Sequence, residues 1–328
     1  MERARIFMTR RIPDIGLEML SGQVEIDLWE GELPPPYEVL KERIQNAQGL
    51  LCLLTDRVDR ELIESAPHLR VISQYAVGVD NIDLETATRR GIPVGHTPGV
   101  LTDATADFTW ALLMSAARRV TEADTYTRKG NWKTWGPSIL LGMDVSHATL
   151  GIIGFGRIGQ AVARRARGFD MRVLYTDTKR IPEIEETLGV EYASLETVLR
   201  EADFITLHVP LTQSTYHLIG EREFSLMKKD AILINTARGG VVDPDALYHA
   251  LKTRQIRSAA IDVTEPEPIP MDSPLLELPN LIITPHIASA SVQSRNQMAV
   301  MAVQNLIAGL KRERLPFCAN PQVYNQQW

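Results

Sequence analysis

Residues 149–165 read TLGIIGFGRIGQAVARR. A β-branched and aliphatic run is followed by Gly154, Gly156 and Gly159 in the spacing G-x-G-x-x-G, and then by a helix-forming segment. In such a unit the first glycine permits a tight turn, the second lets the backbone approach a pyrophosphate, and the third lets the helix pack on the strand. The stretch therefore predicts a dinucleotide site at a helix N-terminus, whose free N–H groups face the phosphates.

The next predicted strand, RVLYTD, ends at Asp177, 18 residues after Gly159. An acid at this position hydrogen-bonds the adenosine ribose diol and repels a 2′-phosphate, which favours NAD(H) over NADP(H). Lys179 and Arg180 follow, and two cations there would neutralise a 2′-phosphate, so NADP(H) stays possible. A solvated loop is the alternative role for both cations.

Short apolar runs alternate with amphipathic helical stretches on both sides of this turn. Before it, ARIFMT, GLLCLL and LRVISQYA alternate with PPPYEVLKERIQNA and RELIESAP; from it onward, TLGIIG, RVLYTD, FITLHVP, AILINTA, SAAIDV and LIITPH alternate with RIGQAVARRARGF, SLETVLREA and DALYHALKTR. This alternation is typical of parallel sheets. The sequence therefore predicts an α/β protein with two doubly wound, Rossmann-like domains.

Two longer helical stretches set the predicted domain boundaries. One helix is predicted from about Thr102, with Thr102 or Asp103 as its N-cap, to Gly130. The amphipathic stretch 291–313 is expected to pack back on the first domain. We predict a discontinuous domain of residues 1–100 and 288–328 and a second domain of residues 101–287.

Composition narrows the possible partners and surroundings. The 328 residues suffice for two domains, and 44% hydrophobic with 23% charged residues is typical of a globular protein. The net charge of -6 offers no basic footprint for nucleic acid. Cys52 and Cys318 form no metal or disulfide motif, which fits a reducing cytoplasm and predicts no metal site. No apolar run of about 18 residues is present to span a membrane.

Three later segments carry chemically active side chains at predicted strand ends. They are NTARGGVVD with Arg238, IDVTEPEP with Asp262, Glu265 and Glu267, and ITPHIASAS with His286. Hydride transfer to a carbonyl needs a cation for the substrate and a proton donor, and ligands of open α/β sheets gather at the carboxyl ends of strands. Taken singly, Arg238 suits a surface ion pair, Glu267 a solvated acid and His286 a buried histidine. Together, at successive strand ends, they predict a catalytic site.

These segments resemble a known family, the D-isomer-specific 2-hydroxyacid dehydrogenases. GIIGFGRIGQAVA, NTARGGVVD, IDVTEPEP and TPHIASA are similar to its signature blocks in order, and the resemblance covers essentially the whole chain. TRRIP, GLLCLLTDRVD, AVGVDNID, HTPGVLTDATAD and SPLLELPNLIITPHI resemble its glyoxylate and hydroxypyruvate reductase branch, including bacterial 2-ketogluconate reductases. The resemblance implies a flavodoxin-like substrate domain, an NAD(P)-binding Rossmann domain and a cleft between them. It also implies NAD(P)H-dependent reduction of glyoxylate or hydroxypyruvate, or related short 2-oxo acids, to glycolate or D-glycerate.

The resemblance also implies roles for individual residues. The catalytic set is Arg238 for the substrate carboxylate and carbonyl, His286 as general acid, and Glu267 as the partner of His286. Glu267, and not Glu265, fits the family pattern D-V-x-x-x-E-P. A carboxylate beside an imidazole favours the imidazolium, which keeps His286 a proton donor near neutral pH.

Two larger sets follow from the resemblance in the same way. The implied substrate-binding residues are Leu54, Val77, Gly78, Trp135, Arg238, His286 and Ser289. The implied cofactor-binding residues are Thr105, Gly154, Phe155, Gly156, Arg157, Ile158, Gly159, Asp177, Val209, Pro210, Thr215, Thr236, Ala237, Arg238, Asp262 and His286, with Asp262 at the nicotinamide carboxamide. GNWKTWGP resembles a dimer-contact loop from which Trp135 reaches the partner's active site, so a homodimer is expected; ordinary packing of Trp132 and Trp135 is the alternative.

Two other functions stay open on the same fold. Phosphite dehydrogenases share the Arg, Glu and His, whereas formate dehydrogenases carry Gln where Glu267 stands. A dinucleotide-sensing corepressor similar to the C-terminal-binding-protein group keeps the same three residues without turnover. The chain begins in a predicted strand and ends soon after its last helix, so no long disordered flanks are expected, which favours the enzyme.

Overall fold

The computed structural model describes residues 3–325. Twelve strands and twelve α-helices lie in this range. In chain order they are β1 (Ala4–Met8), α1 (Asp14–Leu20), β2 (Val24–Leu28), α2 (Tyr37–Ile44), β3 (Gly49–Cys52), α3 (Arg60–Glu64), β4 (Val71–Gln74), α4 (Leu84–Arg89), β5 (Val94–Gly95), α5 (Thr102–Ala117), α6 (Val120–Arg128), β6 (Thr149–Ile153), α7 (Arg157–Ala166), β7 (Arg172–Thr176), α8 (Pro182–Leu188), β8 (Glu191–Tyr192), α9 (Leu195–Glu201), β9 (Phe204–Leu207), α10 (Glu221–Leu226), β10 (Ile232–Asn235), α11 (Pro244–Lys252), β11 (Ser258–Ile261), β12 (Leu281–Ile283) and α12 (Val292–Leu310).

The first of two compact units runs to Leu101 and resumes at Ala290. Its parallel sheet has the order β2-β1-β3-β4-β5, which is the flavodoxin-like order. Helix α12 packs on β3, β4 and α1 of this unit, and its contact includes a buried hydrogen bond from Ser73 Oγ to the Ala302 carbonyl (2.7 Å). The strand order reverses between β1 and β3, so the loops after these strands flank the switch point where ligands gather.

The second unit, Thr102–Ser289, contains a seven-stranded parallel sheet. Its order is β12-β11-β10-β9-β6-β7-β8, and helices cover both faces over separate buried apolar clusters. The glycine-bearing strand β6 lies in the interior, and the chain order reverses between β6 and β9. This is the Rossmann arrangement, so the prediction of two doubly wound α/β domains is confirmed.

The prediction of one long helix after Thr102 is wrong. The helix ends at Ala117, and α6 begins at Val120. Arg119 between them adopts a left-handed backbone (φ +54°), and its guanidinium bonds the Glu122 carboxylate at 2.6 and 2.8 Å. The helical pattern of polar and apolar residues continues through Arg119, so the sequence did not show the break there. The sequence pattern also does not indicate the edge strand β2 or the short elements α1, α4, β5, α8, β8 and α10.

No helix within residues 3–325 is long and apolar enough to cross a membrane.

Candidate active site

The carboxyl edge of the second sheet gathers most of the predicted functional residues. A parallel sheet places the ends of all its strands on one edge, so the residues that follow successive strands are neighbours. These residues are Gly154 after β6, Asp177 after β7, Val209 after β9, Arg238 after β10, Asp262 after β11 and His286 after β12. The edge therefore carries both the glycine turn and the catalytic candidates.

The three glycines differ in the reason each is needed. Gly154 has φ +92°, and a Cβ there would lie 2.6 Å from the His208 carbonyl carbon. A Cβ on Gly159 would lie 2.3 Å from the Gly154 carbonyl oxygen, so α7 packs directly on the turn. A Cβ on Gly156 would meet open space. The turn is therefore tightly packed at Gly154 and Gly159 and open at Gly156. This arrangement fits a pyrophosphate that approaches the backbone at Gly156.

The Asp177 carboxylate is fixed on this turn. Its Oδ2 accepts a hydrogen bond from the Phe155 N–H (2.6 Å), and its Oδ1 accepts one from the Thr178 N–H (2.6 Å). The Phe155 ring is buried and stacks on Tyr175 with centroids 3.9 Å apart, so Phe155 contributes its backbone to the turn and its side chain to the core. The Asp177 carboxylate is therefore held in a fixed position beside the glycine turn.

The two cations after Asp177 have different surroundings. The Arg180 guanidinium bonds the Glu185 carboxylate at 2.8 and 2.9 Å, and this pairing raises the pKa of Arg180. Lys179 is exposed and makes no ion pair within residues 3–325. Since Arg180 is held by an acid, Lys179 is the more available cation for a 2′-phosphate.

The remaining cofactor candidates lie along the same carboxyl edge of the sheet. Thr105 and Thr236 are buried, and the Thr109 hydroxyl links them through bonds to the Thr105 carbonyl (2.8 Å) and the Thr236 hydroxyl (2.9 Å). The Thr215 hydroxyl donates to the Pro210 carbonyl (2.6 Å) and closes the loop after β9. At the other residues, Arg157 is exposed at the first turn of α7, while Ile158, Val209 and Ala237 pack against the apolar clusters. Thr109 was not predicted from sequence.

His208, directly after β9, is a half-buried histidine whose imidazole is neutral. Burial lowers the pKa of its imidazole to about 3, and its Nε2 has no hydrogen-bond partner within the described residues. The backbone carbonyl group of His208 contacts the Gly154 turn, as noted above. Its ring therefore adds no charge to the phosphate side of the edge.

His286 and Glu267 form the predicted pair. Nδ1 of His286 lies 2.6 Å from Glu267 Oε1. His286 adopts a left-handed backbone (φ +55°), and its N–H donates to the Asp262 carbonyl (2.8 Å). Because Nδ1 faces the carboxylate, Nε2 is the nitrogen left to meet a substrate. Glu265 instead lies 2.7 Å from His217, so the two acids of TEPEP have separate histidine partners.

Asp262 holds the loop that carries His286. Its side chain is 1% exposed and accepts hydrogen bonds from the Ile287 N–H (2.9 Å), the Ala288 N–H (2.7 Å) and the Thr284 hydroxyl (2.5 Å). Both carboxylate oxygens are thus engaged by the 284–288 segment. A contact with the nicotinamide carboxamide stays a prediction, while the structure shows a role in fixing the backbone of this segment.

Arg238 is positioned by a residue that the sequence analysis missed. Asn235 ends β10 fully buried; its Oδ1 accepts from the Ala237 N–H (3.0 Å) and its Nδ2 donates to the Arg238 carbonyl (2.9 Å). Arg238 Nη1 donates to the Ala237 carbonyl (2.8 Å). The sequence feature that could have indicated Asn235 is a polar residue at the end of an otherwise apolar strand, in ILINTA.

The first unit carries its own candidate segment after β4. The backbone N–H groups of Val77 and Gly78 donate no hydrogen bond within residues 3–325 and are half-buried. Gln74 is fully buried, and its Nε2 donates to Asn81 Oδ1 (2.7 Å) and the Gly78 carbonyl (3.3 Å). Two N–H donors on a loop held by a buried amide suit a carboxylate ligand.

Asn81 extends this network to the segment of Leu54. Its Nδ2 donates to the carbonyls of Leu53 (3.1 Å) and Asp56 (2.8 Å). Asp56 is buried and accepts from the Leu53 N–H (2.7 Å) and the Thr9 hydroxyl, and burial raises the pKa of its carboxyl. The loops at the switch point of the first sheet are therefore tied to each other by buried polar side chains, none of which was predicted from sequence.

Among residues 3–325, the side chains of Trp135 and Ser289 make no hydrogen bond or ion pair that would define a role. Trp135 is 80% exposed, and Ser289 is half-buried at the end of the second unit. Within residues 3–325 no group of three His, Cys, Asp or Glu side chains is arranged to hold a metal ion.

The chain is similar to a known family and to proteins of known structure. The family description "D-isomer specific 2-hydroxyacid dehydrogenase, NAD binding domain" matches residues 110–288. A curated glyoxylate reductase of Korarchaeum cryptofilum is 55% identical over 99% of this chain and 97% of its own length. A protein of Thermus thermophilus of solved structure is 47% identical, with a TM-score of 0.91 over 96% of this chain and 99% of its own. An NADPH-dependent glyoxylate/hydroxypyruvate reductase of Sinorhizobium meliloti, solved with NADP and malonate, is 31% identical, with a TM-score of 0.87 over 98% of both chains.

The glycine turn, the histidine-carboxylate pair and the strand-end arginine on a Rossmann sheet define an oxidoreductase that uses a nicotinamide dinucleotide. Within that class the chain belongs to the D-isomer specific 2-hydroxyacid dehydrogenases. The family membership and the NAD(P)-binding domain predicted from the sequence are thus confirmed.

Proposed function

We propose that this chain reduces glyoxylate and hydroxypyruvate to glycolate and D-glycerate with NAD(P)H. The observation that carries the proposal is the Glu267-His286 pair on the same sheet edge as Arg238 and the glycine turn. A proton donor, a cation and a dinucleotide turn are what carbonyl reduction requires. The curated relatives at 46 to 55% identity, which are glyoxylate reductases, support the choice of substrate.

The chemistry follows from the groups that each residue presents. The reduced nicotinamide supplies the hydride when bound. Arg238 binds the substrate carboxylate and polarises the carbonyl, and its planar guanidinium suits a carboxylate at two points. His286 donates the Nε2 proton to the oxygen that becomes the hydroxyl, while Glu267 stabilises the imidazolium at Nδ1. From the family resemblance, the N–H groups of Val77 and Gly78 and the side chain of Leu54 are proposed to bind the substrate as well.

The direct test follows loss of nicotinamide absorbance with NADH or NADPH and four acids: glyoxylate, hydroxypyruvate, pyruvate and 2-ketogluconate. Rapid turnover of the first two, at about 10² per second or less, supports the proposal. If all four are inert and phosphite reduces NAD⁺, the chain is a phosphite dehydrogenase. If every substrate is inert while short peptides bind tightly in the presence of NADH, it is a dinucleotide-sensing binding protein.

We propose that Asp177 makes NADH the preferred cofactor. Asp177→Ala is expected to lower the NADH to NADPH ratio of kcat/KM by about ten-fold or more, since a like charge beside a 2′-phosphate is repulsive. Asp177→Asn is the matched control, because it keeps an acceptor for the Phe155 N–H and removes only the charge. An unchanged ratio in both variants would show that Asp177 does not determine cofactor choice.

We propose that the chain forms a homodimer through an apolar arm, residues 132–141. Within this arm Trp132, Trp135, Ile139 and Leu141 are 64%, 80%, 41% and 60% exposed. The preceding helix α6 buries none of its residues. Large apolar side chains exposed together in one segment favour a protein interface, and the family resemblance implies that Trp135 reaches the partner's active site.

Sedimentation should show a dimer at assay concentrations. The double variant Trp132→Ser/Trp135→Ser is expected to weaken dimerisation about 30-fold or more, because buried aromatic anchors carry much of the energy of an interface. Leu33→Ser, at a residue 75% exposed in the first unit, is the control and should leave the dimer intact. A monomeric wild-type protein contradicts the proposal.

We propose a reducing, cytoplasmic compartment for the protein. Cys52 and Cys318 are both free thiols. Burial raises the pKa of the Cys52 thiol well above its ordinary value, so this thiol stays protonated and unreactive. Free cysteines without a disulfide framework are typical of such a compartment.

A further inference from the structure

A second histidine-carboxylate cluster lies in the unit that contains Glu267 and His286. His217 Nε2 lies 2.7 Å from Glu265 Oε2, and His217 Nδ1 lies 3.6 Å from Asp243 Oδ2. The Tyr216 ring stacks on the imidazole with centroids 3.9 Å apart. His217 has φ +49°, a left-handed conformation that histidine adopts infrequently and that persists where surrounding contacts fix it.

His217 connects the segments that carry Arg238 and Glu267. Its backbone N–H donates to the Gly240 carbonyl (2.8 Å), two residues after Arg238. Its ring holds Glu265, two residues before Glu267. His217 therefore binds the segment of Arg238 (the arginine segment) through its backbone and the segment of Glu265 and Glu267 (the acid segment) through its side chain.

The segments that His217 connects are also in close contact with each other. A Cβ on Gly239 would lie 1.9 Å from the Thr264 carbonyl oxygen, so the arginine and acid segments touch backbone to backbone. Asp243 also caps α11, since its Oδ1 accepts from the N–H groups of Asp245 (2.9 Å) and Ala246 (3.1 Å). The imidazole thus lies between a helix end and the acid segment.

We propose that His217 is a positioning residue of the reaction, which holds Glu265 so that Glu267 keeps its contact with His286. The inference rests on the proposed function, in which the His286 imidazolium donates the proton. When the acid segment is released, Glu267 moves relative to His286 and stabilises the imidazolium less. A displacement of about 1 Å in a catalytic group costs up to about 10²-fold in rate.

The test compares His217→Gln, Glu265→Gln and the double variant with wild type. In His217→Gln, kcat for glyoxylate falls about ten-fold. The alkaline limb of the kcat profile moves to lower pH, because His286 must be protonated to act. Glu265→Gln gives the same shift, and the double variant shows no more than either single variant, since both changes weaken the same His217–Glu265 contact.

The matched control is His249→Gln, at an exposed histidine of α11 in the same unit. A merely structural loss would lower kcat without moving the pH limb, so an unmoved limb in His217→Gln and Glu265→Gln overturns the proposal. An equal shift in His249→Gln, or additive effects in the double variant, also overturns it.

A second measurement separates this inference from the proposed function. The ring signals of His286, assigned by comparison with His286→Ala, are titrated by NMR in the absence of substrate. A downward shift in His217→Gln supports the positioning role even if wild type turns over no 2-oxo acid, in which case only the proposed function fails. An unshifted titration in an active enzyme overturns the positioning role alone.

Discussion

His286→Ala is expected to lower kcat for glyoxylate reduction about 10²- to 10⁴-fold, with little change in the affinity for NADH. In the proposed reaction, the alkoxide that develops during hydride transfer takes its proton from His286 Nε2, because Nδ1 faces Glu267 at 2.6 Å. Water can replace this donor only poorly, since it lacks the fixed position and the charge of the imidazolium. Steady-state kinetics with saturating NADH measure the loss, and cofactor titration by fluorescence measures binding.

His68→Ala serves as the control, because His68 is an exposed histidine of the first unit. It should leave kcat within about two-fold of wild type, as expected of a neutral surface change. A kcat for His286→Ala equal to that of wild type would remove this residue from the mechanism. A loss of NADH binding together with kcat would instead give His286 a role in cofactor binding.

Arg238→Ala is expected to lower kcat about 10²- to 10³-fold and to raise KM for glyoxylate as well. The guanidinium has two tasks in the proposal: it holds the carboxylate in the ground state and polarises the carbonyl in the transition state. Loss of the first raises KM, and loss of the second lowers kcat. The two constants should therefore change together, whereas His286→Ala changes mainly kcat.

Arg238→Lys separates charge from geometry. A lysine keeps the positive charge but offers a single point of contact, so it should recover only part of the loss. Free guanidinium added to Arg238→Ala should restore part of kcat if the missing group is the guanidinium itself. Arg222→Ala, at an exposed arginine that pairs with Glu223, is the control. A change confined to KM would show that Arg238 binds substrate without acting on the carbonyl.

Most of the second unit and its site was readable from local pattern. The glycine spacing, Asp177 at the end of its strand, and the order of Arg238, Glu267 and His286 are each set within a few residues of chain. Hydrophobic strands that alternate with helices then place all their ends on one edge. The choice of Glu267 over Glu265 as the partner of His286 came from the family pattern, since nothing local distinguishes two acids two residues apart.

Other features were not visible in the sequence pattern. The break after Ala117 depends on a left-handed backbone at Arg119, which no helical pattern reveals. The hydrogen bonds that Asp262 accepts from Thr284, Ile287 and Ala288 were not predicted either, because each donor is 22 or more residues away. Side-chain partners at that separation are fixed by strand order and not by sequence spacing.

By itself the sequence determined the two α/β alternations, the dinucleotide turn and the catalytic candidates, because each depends on side chains a few positions apart. The tertiary structure alone decided that Glu265 meets His217. It also decided how Asn235 and Gln74 hold the segments of Arg238 and Gly78, and how His217 joins two loops. The physical reason is that buried polar groups must find partners wherever the packed chain brings them, and those partners lie on other strands and loops.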